Sequence, residues 1–410
     1  MSAPVLPDVP VIDQVTARAP VRAYLAGFVF VGLGIGFGGP ALSYLRDRVG
    51  TDDAGIAFVF VGQAAGYIVG SLAAARGLDR GRGHQWWTSA MVVATMSVGL
   101  IAVLTDLVAL VAAFVVLGAA CGLADVCGNT LVVWSRPGDA GSTLNALHLS
   151  FALGALSTPL LVNRSLAWFD SLWLVVLPMA IITVVCGVAF LRTRAPARTR
   201  VPAVRRADST HAPRAWQIGV VCLFFFAYVA VEAGFAGWIH TYVEQIGYGG
   251  AGTATGVTVM FWAGFTAGRI LAVGLSRRVS PGWLVASSTA LSIVAALLFW
   301  WFPGPSPTLW LVTFLFAVSL APQYASMMGF AEGRLVLSGR STSAFVASSG
   351  LGGLIVPLLI GVMFVKWGPG SLPPTIVVAA VVAGAAGVLA GHLLAGGQRP
   401  PETSSTDPVT

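Results

Sequence analysis

The sequence predicts an all-α integral membrane protein, with twelve transmembrane helices arranged as two parallel six-helix repeats. Three observations predict it. The 410 residues are 56% hydrophobic and only 10% charged, with a mean hydropathy of +0.84, whereas a soluble domain is roughly 25% charged. The apolar runs are long enough to cross about 30 Å of hydrocarbon as helices, and they lack the short polar–apolar alternation of a transmembrane β-barrel. The second half of the chain also repeats the first at a constant offset of 198 residues.

Taken in order, residues 1–22 are Pro-rich without an apolar core and read as a cytoplasmic tail. The first apolar run is too long for a signal-peptide core and lacks a cleavage site, so it is read as a span. Gly34, Gly36 and Gly39 within it match GxGxxG. No strand precedes them, so they point to close helix packing and not to a dinucleotide. The N-terminal bundle, 23–191, holds spans at 23–45, 54–75, 86–104, 107–134, 143–165 and 171–191. A basic linker, 192–215, carries seven Arg, three Pro and no apolar run, the composition of a flexible or surface-lying connector. The C-terminal bundle, 216–395, holds spans at 216–242, 253–275, 283–302, 308–331, 341–365 and 373–395, and 396–410 is a second tail. Cys121, Cys127, Cys186 and Cys222 lie inside apolar runs with no CxxC spacing, so they read as small buried hydrophobes without redox or metal chemistry.

The net charge of +7 is no sign of a nucleic-acid partner, because the basic residues sit in short loops between spans. With the N-terminus in the cytoplasm, the inner segments hold eighteen basic residues and the outer loops only Arg46, Arg48, Arg164 and Lys366. That asymmetry places both termini inside, in a plasma (inner) membrane. Arg269 is the one basic residue left within a span.

The repeat is legible residue by residue. Gly36-Phe37, Gly39 and Tyr44 recur as Gly234-Phe235, Gly237 and Tyr242. Ala65-Gly66 and Gly70 recur as Ala263-Gly264 and Gly268, and Pro159-Leu160-Leu161 as Pro357-Leu358-Leu359. Two parallel units of this kind belong to transporters that rock one half against the other around a midplane site. The polar residues do not follow the repeat: Asp125 maps to Gln323, Asn129 to Met327, His148 to Val346, and Arg269 back to Ser71.

A carboxylate deep in an apolar helix costs about 2.5–3.5 kcal/mol, so each one is a candidate for function. Asp125 lies in the fourth span with Asn129 one turn on, and Asn145 and His148 share a face of the fifth. Glu232 lies in the seventh span, within VAVEAGFAGWIHTY, and precedes Trp238. A salt bridge from Glu232 to Arg269 in the eighth span would neutralise both and can itself serve as a gate. Gln63 and Tyr67 share a face of the second span, and Gln323 and Tyr324 follow Pro322, whose break can turn carbonyls towards a cavity. Trp238 is a candidate for stacking on a sugar ring. Asp79 and Arg80, in the short basic loop GLDRGRGH, are candidates for a latch between the halves. For each residue the alternative is structural: hydrogen-bond glue between helices or, for the loop, a topology anchor.

With six plus six spans, a basic central linker and a short basic loop after the second span, the chain resembles the major facilitator superfamily. Of that loop's usual G-x-x-x-D-R-x-G-R pattern, Asp79 and Arg80 fit, while Ala75, Arg82 and Gly83 depart from it. FVFVGQAAGYIVGS, DVCGNTLVVW, ALHLSFALGA and VEAGFAGWIHTY look most like the branch of sodium-dependent glucose transporters, and more distantly the fucose permeases. The resemblance implies uptake of a hexose-like sugar coupled to H+ or Na+. Asp125 occupies the span whose acidic residue is tied to proton coupling in fucose permease. Membrane lipid, a small solute and a monomeric state are expected, with no cofactor. Efflux of drugs or metabolites is the competing function. A wide cavity lined by aromatic residues and Met would favour it, and a narrow one lined by Asn, Gln and His would favour a sugar. A non-transporting sensor lacks a soluble domain long enough to signal. A membrane enzyme lacks a catalytic dyad or metal motif.

Overall fold

A computed structural model describes residues 18–135, 140–196, 215–276, 278–304, 307–332, 334–335 and 339–395. The expectations for the two tails and for most of the linker lie outside the described residues.

Every regular element among the described residues is helical. The N-terminal half comprises α1 (Arg18–Gly36), α2 (Gly38–Val49), α3 (Asp53–Ile56), α4 (Phe58–Asp79), α5 (Gly83–Ile101), α6 (Leu107–Ser135), α7 (Ala140–Phe169) and α8 (Trp173–Leu191). The C-terminal half comprises α9 (Ala215–Gln245), α10 (Ala251–Leu275), α11 (Pro281–Trp301), α12 (Pro307–Leu320), α13 (Gln323–Glu332), α14 (Gly339–Trp367) and α15 (Leu372–Ala395). Eleven spans are long and apolar enough to cross a membrane, three of them formed by the consecutive pairs α1–α2, α3–α4 and α12–α13. The remaining helix, α5, contains no Asp, Glu, Lys or Arg, but His84 and Gln85 at its start lower its hydropathy. It packs against α6 and α8 inside the first bundle.

Of these three breaks, the first and the last have different reasons. The first breaks at Phe37, inside a run in which Gly34, Gly36, Gly38 and Gly39 weaken the helix. The tenth breaks at Ala321-Pro322, where the proline removes a backbone donor.

The outer surface is apolar, as lipid contact requires. Exposed Trp residues sit near the helix ends: Trp216 and Trp283 towards the termini, Trp168, Trp173, Trp301 and Trp367 at the opposite end. These are the two interfacial belts of a membrane protein.

The repeat is a packing repeat. α4 lies against α6 so closely that a Cβ on Gly66 or Gly70 would stand 2.0 or 1.8 Å from the carbonyl oxygens of Val115 and Ala119. In the second half, a Cβ on Gly264 or Gly268 would stand 2.5 Å from those of Phe314 and Val318. Small residues at matching positions let the backbones approach without help from the hydrophobic effect. The halves meet along α7/α10 and α4/α14, which the offset exchanges, and along α2/α9. On that last contact, equivalent residues touch. A Cβ on Gly39 would lie 3.2 Å from Gly237 Cα, and Ser43 Oγ lies 3.4 Å from Thr241 Oγ1. The pseudo-twofold axis therefore runs between α2 and α9.

Candidate functional site

The far ends of the helices, away from the termini, are sealed across the halves. Ser43 donates to Glu244 at 2.5 Å, and Gln245 donates to Asp53 at 2.7 Å. Within each half, Arg46 pairs with the same Asp53 at 2.8 Å, and His240 lies 3.5 Å from the same Glu244. Behind this seal Phe60 of α4 packs on Trp238 of α9. Towards the termini lies a cavity of about 480 Å³ between α7, α10, α11 and the α12–α13 break, lined by His148, Arg269, Ser276, Pro322 and Ser326 among small and branched apolar residues. No Phe, Tyr, Trp or Met lines it.

At mid-height the polar side chains gather in two groups. In the N-terminal half, Tyr67 of α4 donates to Asp125 Oδ2 at 2.7 Å. Asn129, one turn along α6, donates to Asp125 Oδ1 at 3.3 Å and to its carbonyl at 3.0 Å. Hydrogen bonds to a charged group contribute roughly 1.5–3 kcal/mol each, enough to offset much of the cost of burying the carboxylate. Asp125, Asn129 and Tyr67 are all only half-buried although they lie at the centre of the bundle. A water-sized space therefore reaches them.

In the C-terminal half, Glu232 of α9 has Tyr228 and Arg269 as its electrostatic neighbours. Tyr324 of α13 lies in the fields of both Asp125 and Glu232, and so joins the two groups across the interface. Its ring packs on Phe225 at 4.8 Å and on Tyr228 at 6.0 Å. Arg269 makes no ion pair within 4 Å among the described residues, so the sequence-level salt bridge to Glu232 is not closed here. Instead its guanidinium lies 4.9 Å over the Phe265 ring. His148 faces the same cavity, edge-on to Phe28 at 6.0 Å.

The structure places other candidates elsewhere. Gln63 donates to the Gly34 carbonyl at 3.1 Å, beside the break in the first span. Trp238 is fully buried in the seal and donates to the Pro357 carbonyl at 2.9 Å, so its face is covered by Phe60 and Phe364 and not by open space. Gln323 is 1% exposed and points away from the pathway to α11. There its amide donates to Ser288 O, Ser292 Oγ and Ser319 O at 3.0–3.3 Å. The proline before it interrupts the helical ladder, and this side chain ties the loosened turn to a neighbour. Asp79 and Arg80 are exposed at the end of α4. Asn145 lies on α7, but its side chain is outside the described residues.

Gln323→Leu should accordingly lower the melting temperature by an amount equivalent to about 1–3 kcal/mol, with little change in apparent solute affinity. Thermal denaturation and an uptake KM on the same preparation check both parts.

Sequence reasoning missed Tyr228, whose buried hydroxyl faces the Glu232 carboxylate. The available signal was spacing: it lies four residues before Glu232 and shares its helix face. The seal was missed too, although Ser43 and Thr241 are repeat equivalents.

The model of the Major Facilitator Superfamily matches residues 24–357. The chain belongs to that superfamily. Among curated relatives, the human sodium-dependent glucose transporter 1 is 25% identical over 83% of this chain and 73% of its own length. The mouse sodium-dependent glucose transporter 1A is 27% identical over 82% and 88%. The glucose/mannose transporter GlcP of Bacillus subtilis is 24% identical over 76% and 79%. Among solved structures, the nucleoside transporter NupG superposes with a TM-score of 0.71 at 12% identity, covering 92% of this chain and 100% of the other. The E. coli fucose:proton symporter FucP gives 0.65 at 15%, covering 92% and 99%. These neighbours share the major facilitator fold with this chain.

Proposed function

We propose that this major facilitator protein is a secondary active transporter of a hexose-like sugar, working by alternating access and driven by H+ or Na+. The observation that carries the reading is the pair of polar groups facing each other across the half-interface. Tyr67, Asp125 and Asn129 lie on one side and Tyr324, Glu232 and Arg269 on the other, on the termini side of a sealed end. A solute held between them touches both halves, so its binding energy can bias their rocking. The sugar reading is supported by the relatives, which are named as glucose and glucose/mannose transporters. The cavity beside these groups carries His148, Arg269 and Ser side chains among apolar walls. Asp125 is the residue we assign to the coupling ion. The excess of basic residues on the termini side supports an orientation with both termini in the cytoplasm, in a plasma (inner) membrane. The transporter acts as a monomer.

The test is uptake into liposomes. Protein is reconstituted, a pH or Na+ gradient is imposed, and labelled glucose, mannose and fucose are followed. Gradient-stimulated entry of at least one of them is expected. No hexose entry under either gradient, together with no hexose raising the melting temperature, would refute the reading.

A further inference from the structure

Arg269 lies inside the span Gly252–Leu275. A guanidinium at that depth costs about 2.5–3.5 kcal/mol unless it finds a partner. None of the ion pairs within 4 Å among the described residues includes it. Its Nε is buried and has no hydrogen-bond partner. Phe265 occupies one face of the group at 4.9 Å, an arrangement that fixes the plane of the fork. The same side chain lines the 480 Å³ cavity, a size suited to one small solute. His148 on α7 is the other ionisable group in that lining, and Leu149, Ile270 and Val273 supply apolar wall. The groups that share the field of Arg269 are Glu232 and Tyr228 on α9, Tyr324 on α13 and His148 on α7. Asp125 is already committed to Tyr67 and Asn129.

We infer that the transported sugar is a sugar acid, a hexose carrying one carboxylate, and that Arg269 is the side chain that binds the carboxylate, with His148 as a second donor across the half-interface. This rests on the sugar reading above and narrows it. A neutral hexose can accept hydrogen bonds from Arg269 but brings it no counter-charge beyond the field of Glu232. A carboxylate accepts two parallel bonds from the planar fork and neutralises it. In a cavity with apolar walls, that difference is larger than it would be in water. Because α7 and α10 belong to different halves, a carboxylate held by both residues also draws the halves together on the termini side.

The test compares D-glucuronate with its methyl ester, which lacks the charge and adds one methyl group. Each is used to compete for labelled glucose counterflow in proteoliposomes. Glucuronate is expected to compete at a roughly tenfold or lower concentration than the ester. Arg269→Gln should erase that ratio, and Arg269→Lys should retain part of it. Equal competition by acid and ester in the wild type overturns the inference, as does a ratio that survives Arg269→Gln. If glucose counterflow is absent, the general hexose reading fails, while thermal stabilisation by glucuronate and by the ester still measures the acid preference directly. If Arg269→Gln does not fold, the wild-type ratio and Arg269→Lys decide.

Discussion

Asp125→Asn is expected to abolish accumulation of the solute against a gradient while leaving downhill exchange intact. The substitution keeps shape and most hydrogen bonding. An amide oxygen still accepts from Tyr67, whose hydroxyl now lies 2.7 Å from the carboxylate, and the turn joining Asp125 to Asn129 is unchanged. Removing a half-buried charge from the bundle also relieves part of its desolvation cost, so the fold persists. What disappears is the group that takes up or releases the coupling cation. One cation moved down 100 mV supplies about 2.3 kcal/mol. At about 1.4 kcal/mol per tenfold, this sustains roughly a 50-fold solute gradient. The variant should settle at a ratio near one. The measurement is steady-state labelled solute inside liposomes with an imposed gradient, beside counterflow without one. Accumulation equal to wild type in Asp125→Asn would move the coupling site elsewhere, and Glu232 would be the next group to test, since Tyr324 already places it in contact with the field of Asp125.

The fold was readable because membrane insertion leaves the backbone few choices. Every polar group of the chain must be satisfied within the helix, so hydropathy and length locate the spans. Charge asymmetry then suggests their direction. The 198-residue offset gave the architecture, because the positions it preserves are glycines whose Cβ atoms would collide with a neighbouring backbone, as at Gly70 and Gly268. The site was readable only in part. Asp125, Tyr67 and Asn129 could be found because intramembrane polarity is expensive and helical spacing shows which residues share a face. Their meeting across α4 and α6 is a tertiary fact that spacing within one helix cannot supply. Gln323 shows the opposite failure. Its polarity was visible, but its direction depends on the break at Pro322 and on Ser288 and Ser292 of α11, some thirty residues away. Trp238 looked like a sugar platform because an aromatic ring in a polar span can stack. Burial against Phe60 and Phe364 decides otherwise in this conformation. The one signal for Tyr228 was its spacing from Glu232, which is weak because a tyrosine among phenylalanines reads as packing until its hydroxyl is found buried beside Glu232.

Gly39→Val should hold the far end of the transporter open. Gly39 lies on the pseudo-twofold axis, where α2 and α9 cross with no side chain between them. A Cβ there would stand 2.8 Å from Ala236 O and 3.1 Å from Gly237 O, both backbone atoms that cannot rotate away. Closure of the far end requires this contact. Opening does not, since α2 and α9 then separate. The added side chain therefore penalises one state of the cycle and spares the other, which distinguishes it from a general loss of stability. Overpacking of this kind costs about 1–3 kcal/mol, which shifts the ratio of closed to open molecules roughly 5- to 150-fold. Gly39→Ala, which adds only the Cβ, should give a smaller shift in the same direction. The reporter is Ser43→Cys, one turn further along α2, where the native side chain is held against Glu244 in the seal. The native cysteines Cys121, Cys127 and Cys186 are buried and Cys222 is half-buried, so labelling of the unmodified protein by a membrane-impermeant maleimide sets a low background. Labelling at position 43 should rise in the Val variant and solute turnover should fall, because each cycle must pass through the closed far end. If position 43 stays as protected in Gly39→Val as in its parent, the α2–α9 crossing is not the seal. The gate would then have to be sought in the ring of Arg46, Asp53 and Gln245, which ties the same two halves together a turn farther out.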